Sequence, residues 1–215
     1  MSDAATHTPT PAERRRHRVR QTILDAAERV FAEDGEAGLS IRRLADEIDY
    51  SPGAIYKYFE SKQELVDELK EAFFARILDR VEDLPDDPDR FLLYARKCMT
   101  TYIHTALDRP HHYAAAFSGE VNMTNTPLNL SPFSNRMKAF GILQAMVNGG
   151  VTLGIFRADL DVDLAAKSLW ASCHGVALLM THMPDLPLAF VGRPDVSQTE
   201  FIEAHADLIV RGLLA

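Results

Sequence analysis

Between residues 40 and 62 the chain sets hydroxyls and cations in close succession: Ser40, Arg42, Arg43, Ser51, Tyr56, Lys57, Tyr58 and Lys62. Serine and tyrosine hydroxyls and lysine ammonium groups donate to phosphate oxygens. A guanidinium such as that of Arg42 reaches a base edge, guanine above all, through a bidentate pair. Pro52, Gly53 and Ala54 lie among them with no side-chain hydrogen-bonding group and little bulk. That composition suits a helix start that approaches a duplex closely. Direct base readout then rests on few residues, and groove shape supplies the rest. Each residue alone has a plainer reading: Tyr56 or Tyr58 at a core edge, Arg42 and Arg43 as surface charge. The joint spacing is what points to DNA.

Such chemistry works only if other helices hold a short one outward. Ser40 is an N-cap for a helix to about Ile48 that buries Leu44, Ala45 and Ile48. Asp49 stands in the following turn, where aspartate tolerates left-handed backbone. Ser51-Pro52 opens the next helix, with serine as cap and proline at the first helical position. Ile55 and Phe59 point inward there, and Tyr56, Lys57 and Tyr58 outward. Upstream, residues 12–33 carry Val19, Ile23, Ala26, Ala27, Val30 and Phe31 at helical spacing. Asp34-Gly35 ends that stripe, with Gly35 able to take positive φ. Downstream, Ser61 caps a helix to about Asp83 that carries Leu65, Val66, Leu69, Phe73, Ile77 and Val81. Two short helices joined by a tight turn make a helix-turn-helix.

Further helices are expected at about 89–108, 110–118, 132–153, 161–182 and 198–214, with a loop at 119–131 and a Pro-containing connection at 184–197. The expected fold is all-α with about nine helices. It divides into a disordered arm (1–11), a helix-turn-helix DNA-binding domain (12–62) and a larger helical domain (63–215). The net charge of −8 at first opposes a nucleic-acid partner, but residues 1–62 carry only −1 of it and residues 63–215 carry −7. Arg14, Arg15, Arg16, Arg18 and Arg20 cluster ahead of the motif, as a solvated helix face or a phosphate-facing one.

Residues 18–65 resemble the TetR family of one-component bacterial transcriptional regulators. The resemblance is carried by Ile23, Ala26, Ala27, Phe31, Gly35, Ser40, Ile41, Arg42, Leu44, Ala45, Ser51, Gly53, Ile55, Tyr56, Tyr58, Phe59, Lys62 and Leu65. It implies that Ser40, Tyr56, Tyr58 and Lys62 hold phosphates, and that Arg42, Pro52, Gly53, Ala54 and Lys57 lie at or near bases. Asp49 replaces the glycine common in the turn, and Tyr58 replaces a commoner histidine while keeping a hydroxyl donor. The resemblance also implies a homodimer, an operator, and a small-molecule effector held in the C-terminal domain.

Trp170 and His174 share one helical face, and Ala171 and Gly175 form a small-residue strip beside them. The segment resembles a Trp-x-x-x-His-Gly element of one TetR subgroup. By themselves Trp170 and His174 read first as a core aromatic and a core histidine, and second as the border of an effector pocket. Candidate pocket residues are Phe73, Ile77, Tyr94, Tyr102, Phe117, Phe133, Met137, Phe140, Trp170 and His174, which suit an apolar ligand with few polar handles. The last two long helices are expected to pair with a second subunit through Ala171, Gly175, Phe201, Ile202, His205, Leu208, Ile209 and Leu213.

Enzyme chemistry finds little footing. Cys173 and His174 are adjacent on a helix and diverge by about 100°, which rules out a nucleophile–base pair. His174 and His182 lie about 12 Å apart along the axis, too far to share a metal. His111-His112 lacks a third ligand, Cys98 and Cys173 fit neither a disulfide framework nor a zinc spacing, and no phosphate-binding glycine loop occurs. No cofactor or metal is expected. Residues 1–11 lack the apolar stretch of a signal peptide, so the expected location is the cytoplasm. The resulting reading is a DNA-binding regulator, a homodimeric repressor released by a largely hydrophobic ligand. The alternatives are an effector-free DNA-binding or protein-interaction module, or an activator.

Overall fold

A computed structural model describes residues 10–117, 134–183 and 196–215. Among them are nine helices: α1 (Pro11–Gly38), α2 (Ile41–Glu47), α3 (Pro52–Ile55), α4 (Lys62–Arg80), α5 (Pro88–Asp108), α6 (Pro110–Phe117), α7 (Asn135–Thr152), α8 (Val162–His182) and α9 (Gln198–Arg211). Residues 1–9 of the expected arm, all of the 119–131 loop with Phe133, and most of the 184–197 connection lie outside the described residues, while Thr10 and Pro11 of that arm cap and open α1. The chain forms two compact units, Met1–Leu69 and Lys70–Ala215.

Side-chain caps set the helix starts of the first unit. Thr10 opens α1 in a reciprocal box: its Oγ1 accepts from the Glu13 N–H, and Glu13 Oε2 accepts from the Thr10 N–H at 2.7 Å. Ser40, Ser51 and Ser61 accept from the N–H groups of Arg43, Ala54 and Glu64, each three residues on. Gly35 interrupts α1 at φ +66°, and Asp49 turns the chain after α2 at φ +54°. The Tyr50 N–H closes that turn on the Ala45 carbonyl at 2.8 Å. The buried face then assembles from Ile23, Ala26, Ala27, Val30 and Phe31 of α1, Leu44 and Ala45 of α2, Ile55 and Phe59, and Leu65, Val66 and Leu69 of α4. α2 packs on both α1 and α3.

In the second unit α5 is the central helix, packed by α6, α7, α8 and α9, while α8 also meets α7 and α9. Several expected helix ends move: α1 continues past the Gly35 kink to Gly38, and α7 starts at Asn135 rather than 132. α4 stops at Arg80, and α9 stops at Arg211 rather than 214. The final residues turn back instead: the Arg157 N–H donates to the Leu213 carbonyl at 2.9 Å, and the Ala215 N–H to the Ile155 carbonyl at 3.2 Å. Between these bonds Phe156 is seated in the core, 1% exposed, against Gly150 of α7. A Cβ on Gly150 would meet the Phe156 ring at 2.2 Å, so this position has room only for glycine.

Candidate functional site

The first unit presents its polar residues outward. Ser40, Arg42, Ser51, Pro52, Gly53, Tyr56, Lys57 and Lys62 are all exposed, and Ala54 and Tyr58 half-exposed. Tyr56 is 54% exposed, which fits an outward hydroxyl rather than a core edge. A Cβ added to Gly53 meets nothing within 4 Å, so the chain's own packing does not require glycine there. Open space over the first turn of α3 is what a close-approaching partner needs.

Intrachain partners separate the cations. Arg42 lies exposed on α2. Arg43 pairs with Asp34 and, at 3.3 Å, with Glu33, and these carboxylates hold its proton more firmly. Its guanidinium is therefore occupied, unlike the open cation that the sequence suggests. Arg20, in the basic cluster of α1, pairs with Glu68 and stacks 4.5 Å over the Phe59 ring. Arg16 reaches the back of the motif, 5.7 Å from the Tyr58 ring centroid, with Nη2 donating to the Lys57 carbonyl at 3.5 Å. Lys62 Nζ donates to the Glu36 carbonyl at 3.0 Å and stays exposed.

The second unit contains a cavity of about 450 Å³, within the range that encloses small ligands. Of the candidate residues, Ile77, Tyr102, Phe117, Met137, Phe140 and Trp170 line it. Phe73, Tyr94 and His174 do not. Phe73 is fully buried, edge-on to Phe74 and Tyr102, and its neighbour Phe74 takes the cavity wall. Tyr94 packs against Phe91. His174 stands behind the wall: Trp170 stacks on it with ring centroids 5.1 Å apart, and Phe117 lies 4.4 Å away.

Two tyrosines fix that imidazole. The Tyr102 and Tyr113 hydroxyls both come within 2.9 Å of His174 Nδ1, and Tyr113 also lies 3.1 Å from the His174 carbonyl. Tyr113 donates to the carbonyl, and Nδ1 meets both hydroxyl oxygens, as acceptor or donor according to the tautomer of the ring. Burial lowers the His174 pKa, in keeping with a neutral ring, and raises those of both tyrosines. Burial also pushes the lining thiols Cys98 and Cys173 up, to about 11 and about 12, which makes them apolar wall rather than nucleophiles. Sequence reasoning missed these thiols, Met99, Leu143, Lys167 and Arg136. Their helical spacing is detectable, but which face of each helix meets the void is not.

On the outer side of α8, Ala171 and Gly175 are unpacked, flanked by Leu164 at 61% exposure and by Leu178 and Leu179. α9 adds Leu208, 70% exposed, with Phe201, His205 and Ile209 half-buried. Ser172 Oγ and His205 Nε2 join the two helices at 3.1 Å. Ile202 does not belong to this face. It is 1% exposed and shares the inner side of α9 with Ala206 and Val210, and Leu213 is buried too. Among the described residues no three His, Cys, Asp or Glu side chains gather to hold a metal, and no helix is long and apolar enough to cross a membrane.

Residues 23–69 match the model of the family described as "Bacterial regulatory proteins, tetR family". The chain is 31% identical over 157 residues to the HTH-type transcriptional repressor KstR2 of Rhodococcus jostii strain RHA1, covering 70% of this chain and 74% of that one. It is 24% identical over 152 residues to the fatty acid metabolism regulator protein of Bacillus subtilis strain 168, covering 70% and 77%. In three dimensions it is similar to the fatty acid degradation regulator FadR of Bacillus halodurans, with a TM-score of 0.70, 20% identity, and 96% and 98% of the two chains covered.

Proposed function

The chain belongs to the tetR family of bacterial regulatory proteins, DNA-binding regulators of transcription, and we propose that it acts as a homodimeric repressor released by a small, largely hydrophobic ligand. The observation that carries the ligand is the cavity, walled by Phe74, Ile77, Met99, Phe140, Leu143 and Trp170. Fatty acids, in the name of the Bacillus subtilis relative, have the apolar character that such walls accept. Membership of the Trp-x-x-x-His-Gly subgroup is part of the proposal, supported by the stack of Trp170 on His174.

Dimerisation is supported by the apolar strip of α8 and α9 centred on Ala171, Gly175, Leu178 and Leu208, which is exposed, or half-exposed at Gly175, among the described residues. Two copies supply two half-site readers, which one four-residue recognition helix needs for affinity and for operator symmetry. Ser40, Tyr56, Tyr58 and Lys62 hold phosphates in this reading, and Arg42 with the open first turn of α3 faces the bases. Arg43 contributes less than its charge suggests, because Glu33 and Asp34 already neutralise it. The assignment places the protein in the cytoplasm, where its operator is, and gives it no catalytic role.

A mobility shift on the duplex upstream of the protein's own gene, with and without apolar compounds, tests the reading. We expect a discrete complex that dissociates when a compound also raises the protein's Tm. A complex that persists with every compound that raises Tm sinks ligand release and favours an effector-free binder.

A further inference from the structure

One cation in the cavity wall, Arg136, has no ion-pair partner among the described residues. Arg136, in the first turn of α7, donates Nη2 to the Ala116 carbonyl at 2.7 Å and lies 5.1 Å from the Phe74 ring centroid. Its Nε is buried and makes no hydrogen bond. Among the described residues no carboxylate pairs with it. Glu71 meets the same turn but accepts the Asn135 N–H at 2.6 Å. A guanidinium held among apolar side chains with an unused donor is unfavourable unless something anionic completes it. Its fork matches a carboxylate in shape and charge. Lys167, exposed and also lining the cavity, adds to the positive potential.

We infer that Arg136 anchors the ligand, and that the ligand class is an apolar acid. A hydrocarbon chain or fused-ring skeleton lies against Met99, Phe140, Leu143 and Trp170, and its carboxylate meets the Arg136 guanidinium where that side chain lines the cavity. This inference rests on the cavity being the effector site, and the test separates the two.

Trp170 is the single tryptophan of the chain and lines the cavity, so its emission reports occupancy. The full-length protein is titrated with dodecanoate and with lithocholate, with the methyl ester of each, and with dodecanoyl-coenzyme A. Wild type, Arg136→Met and Arg136→Lys are compared. At least one acid should change Trp170 emission. Its methyl ester should bind about 10- to 100-fold more weakly to wild type, and Arg136→Met should weaken the acid by a similar factor. Arg136→Lys should restore part of the loss. Arg136→Met should bind the ester as wild type does, which shows its cavity intact. Equal binding of acid and ester in all three proteins overturns the anchor and leaves the cavity reading standing. Tighter binding of the thioester, with the same dependence on Arg136, overturns the carboxylate in favour of a phosphate. Silence towards every acid, while neutral apolar compounds raise Tm, overturns the acid class alone; silence towards both classes sinks the effector site as well.

Discussion

Replacing Lys62 by alanine separates a structural role from a DNA-binding one. Its Nζ donates to the Glu36 carbonyl at 3.0 Å, tying the start of α4 to the end of α1. Both residues are at the surface, so that contact is worth at most about 1 kcal/mol. A phosphate contact shows itself differently. Each neutralised phosphate adds about 0.9 to the slope of log affinity against log salt. A dimer carries two copies of Lys62, so the variant's slope should be shallower by about 1.8. Between 50 and 200 mM salt the wild type should therefore lose about 12-fold more affinity than Lys62→Ala. Fluorescence anisotropy of a labelled operator at four salt concentrations measures the slope. Lys62→Gln is the control, because its amide can still donate to Glu36 but carries no charge. An unchanged slope in both variants, with a lowered Tm in the alanine variant alone, would refute the phosphate role and leave only the tie.

Gly53→Ala should leave stability within about 0.5 kcal/mol of wild type, because the added methyl enters open space, yet weaken operator binding; urea melts and anisotropy check the pair. Gly150→Ala should lower stability by about 1–3 kcal/mol, because its Cβ would overlap the buried Phe156 ring, as a shifted urea midpoint would show. Burial holds the folded-state pKa of His174 and His205 below the ordinary 6.5, so the unfolded chain binds more protons just below that value. Their contribution is then fully present above pH 6.5 and declines as pH falls beneath it. Urea midpoints at pH 7.5 and 5.5 should show the decline, and His174→Gln should flatten it.

Local chemistry made the first unit legible. Ser40, Ser51 and Ser61 each cap the helix that follows them, and Asp49 takes the positive φ that the turn requires. These are contacts within three or four residues, and residue type alone anticipates them. What escaped depends on distant neighbours. The end of α9 is set by the pairing of residues 213–215 with 155–157, which leaves no mark in the α9 sequence. α9 has apolar residues on two sides, so periodicity could not say that Ile202 faces the core and Leu208 the exterior. Phe73 and Phe74 are both apolar and about 100° apart on α4, and only the position of the void decides which one lines it. Arg136 lies in a polar stretch and reads as a solvent-facing charge; the α6 carbonyl and the Phe74 ring are what draw it into the wall.

The energy that ligand release requires is modest compared with what the cavity contains. A ligand that fits both states equally shifts nothing, however tightly it binds. A 100-fold fall in operator affinity needs about 2.7 kcal/mol of discrimination between the states, or about 1.4 kcal/mol from each cavity of a dimer. At about 25 cal/mol per Å² this is roughly 55 Å² of apolar surface covered in one state and not the other. A phenylalanine buries about 150–250 Å², so a third of one ring is enough. α4 supplies such a ring. Leu65, Val66 and Leu69 are buried in the first unit, while Phe74 and Ile77 of the same uninterrupted helix line the cavity. A ligand that meets Phe74 or Ile77 would touch the same helix that carries Leu65, Val66 and Leu69. One charge-assisted bond from Arg136, at about 1.5–3 kcal/mol, would provide the same discrimination if only one state aligned it.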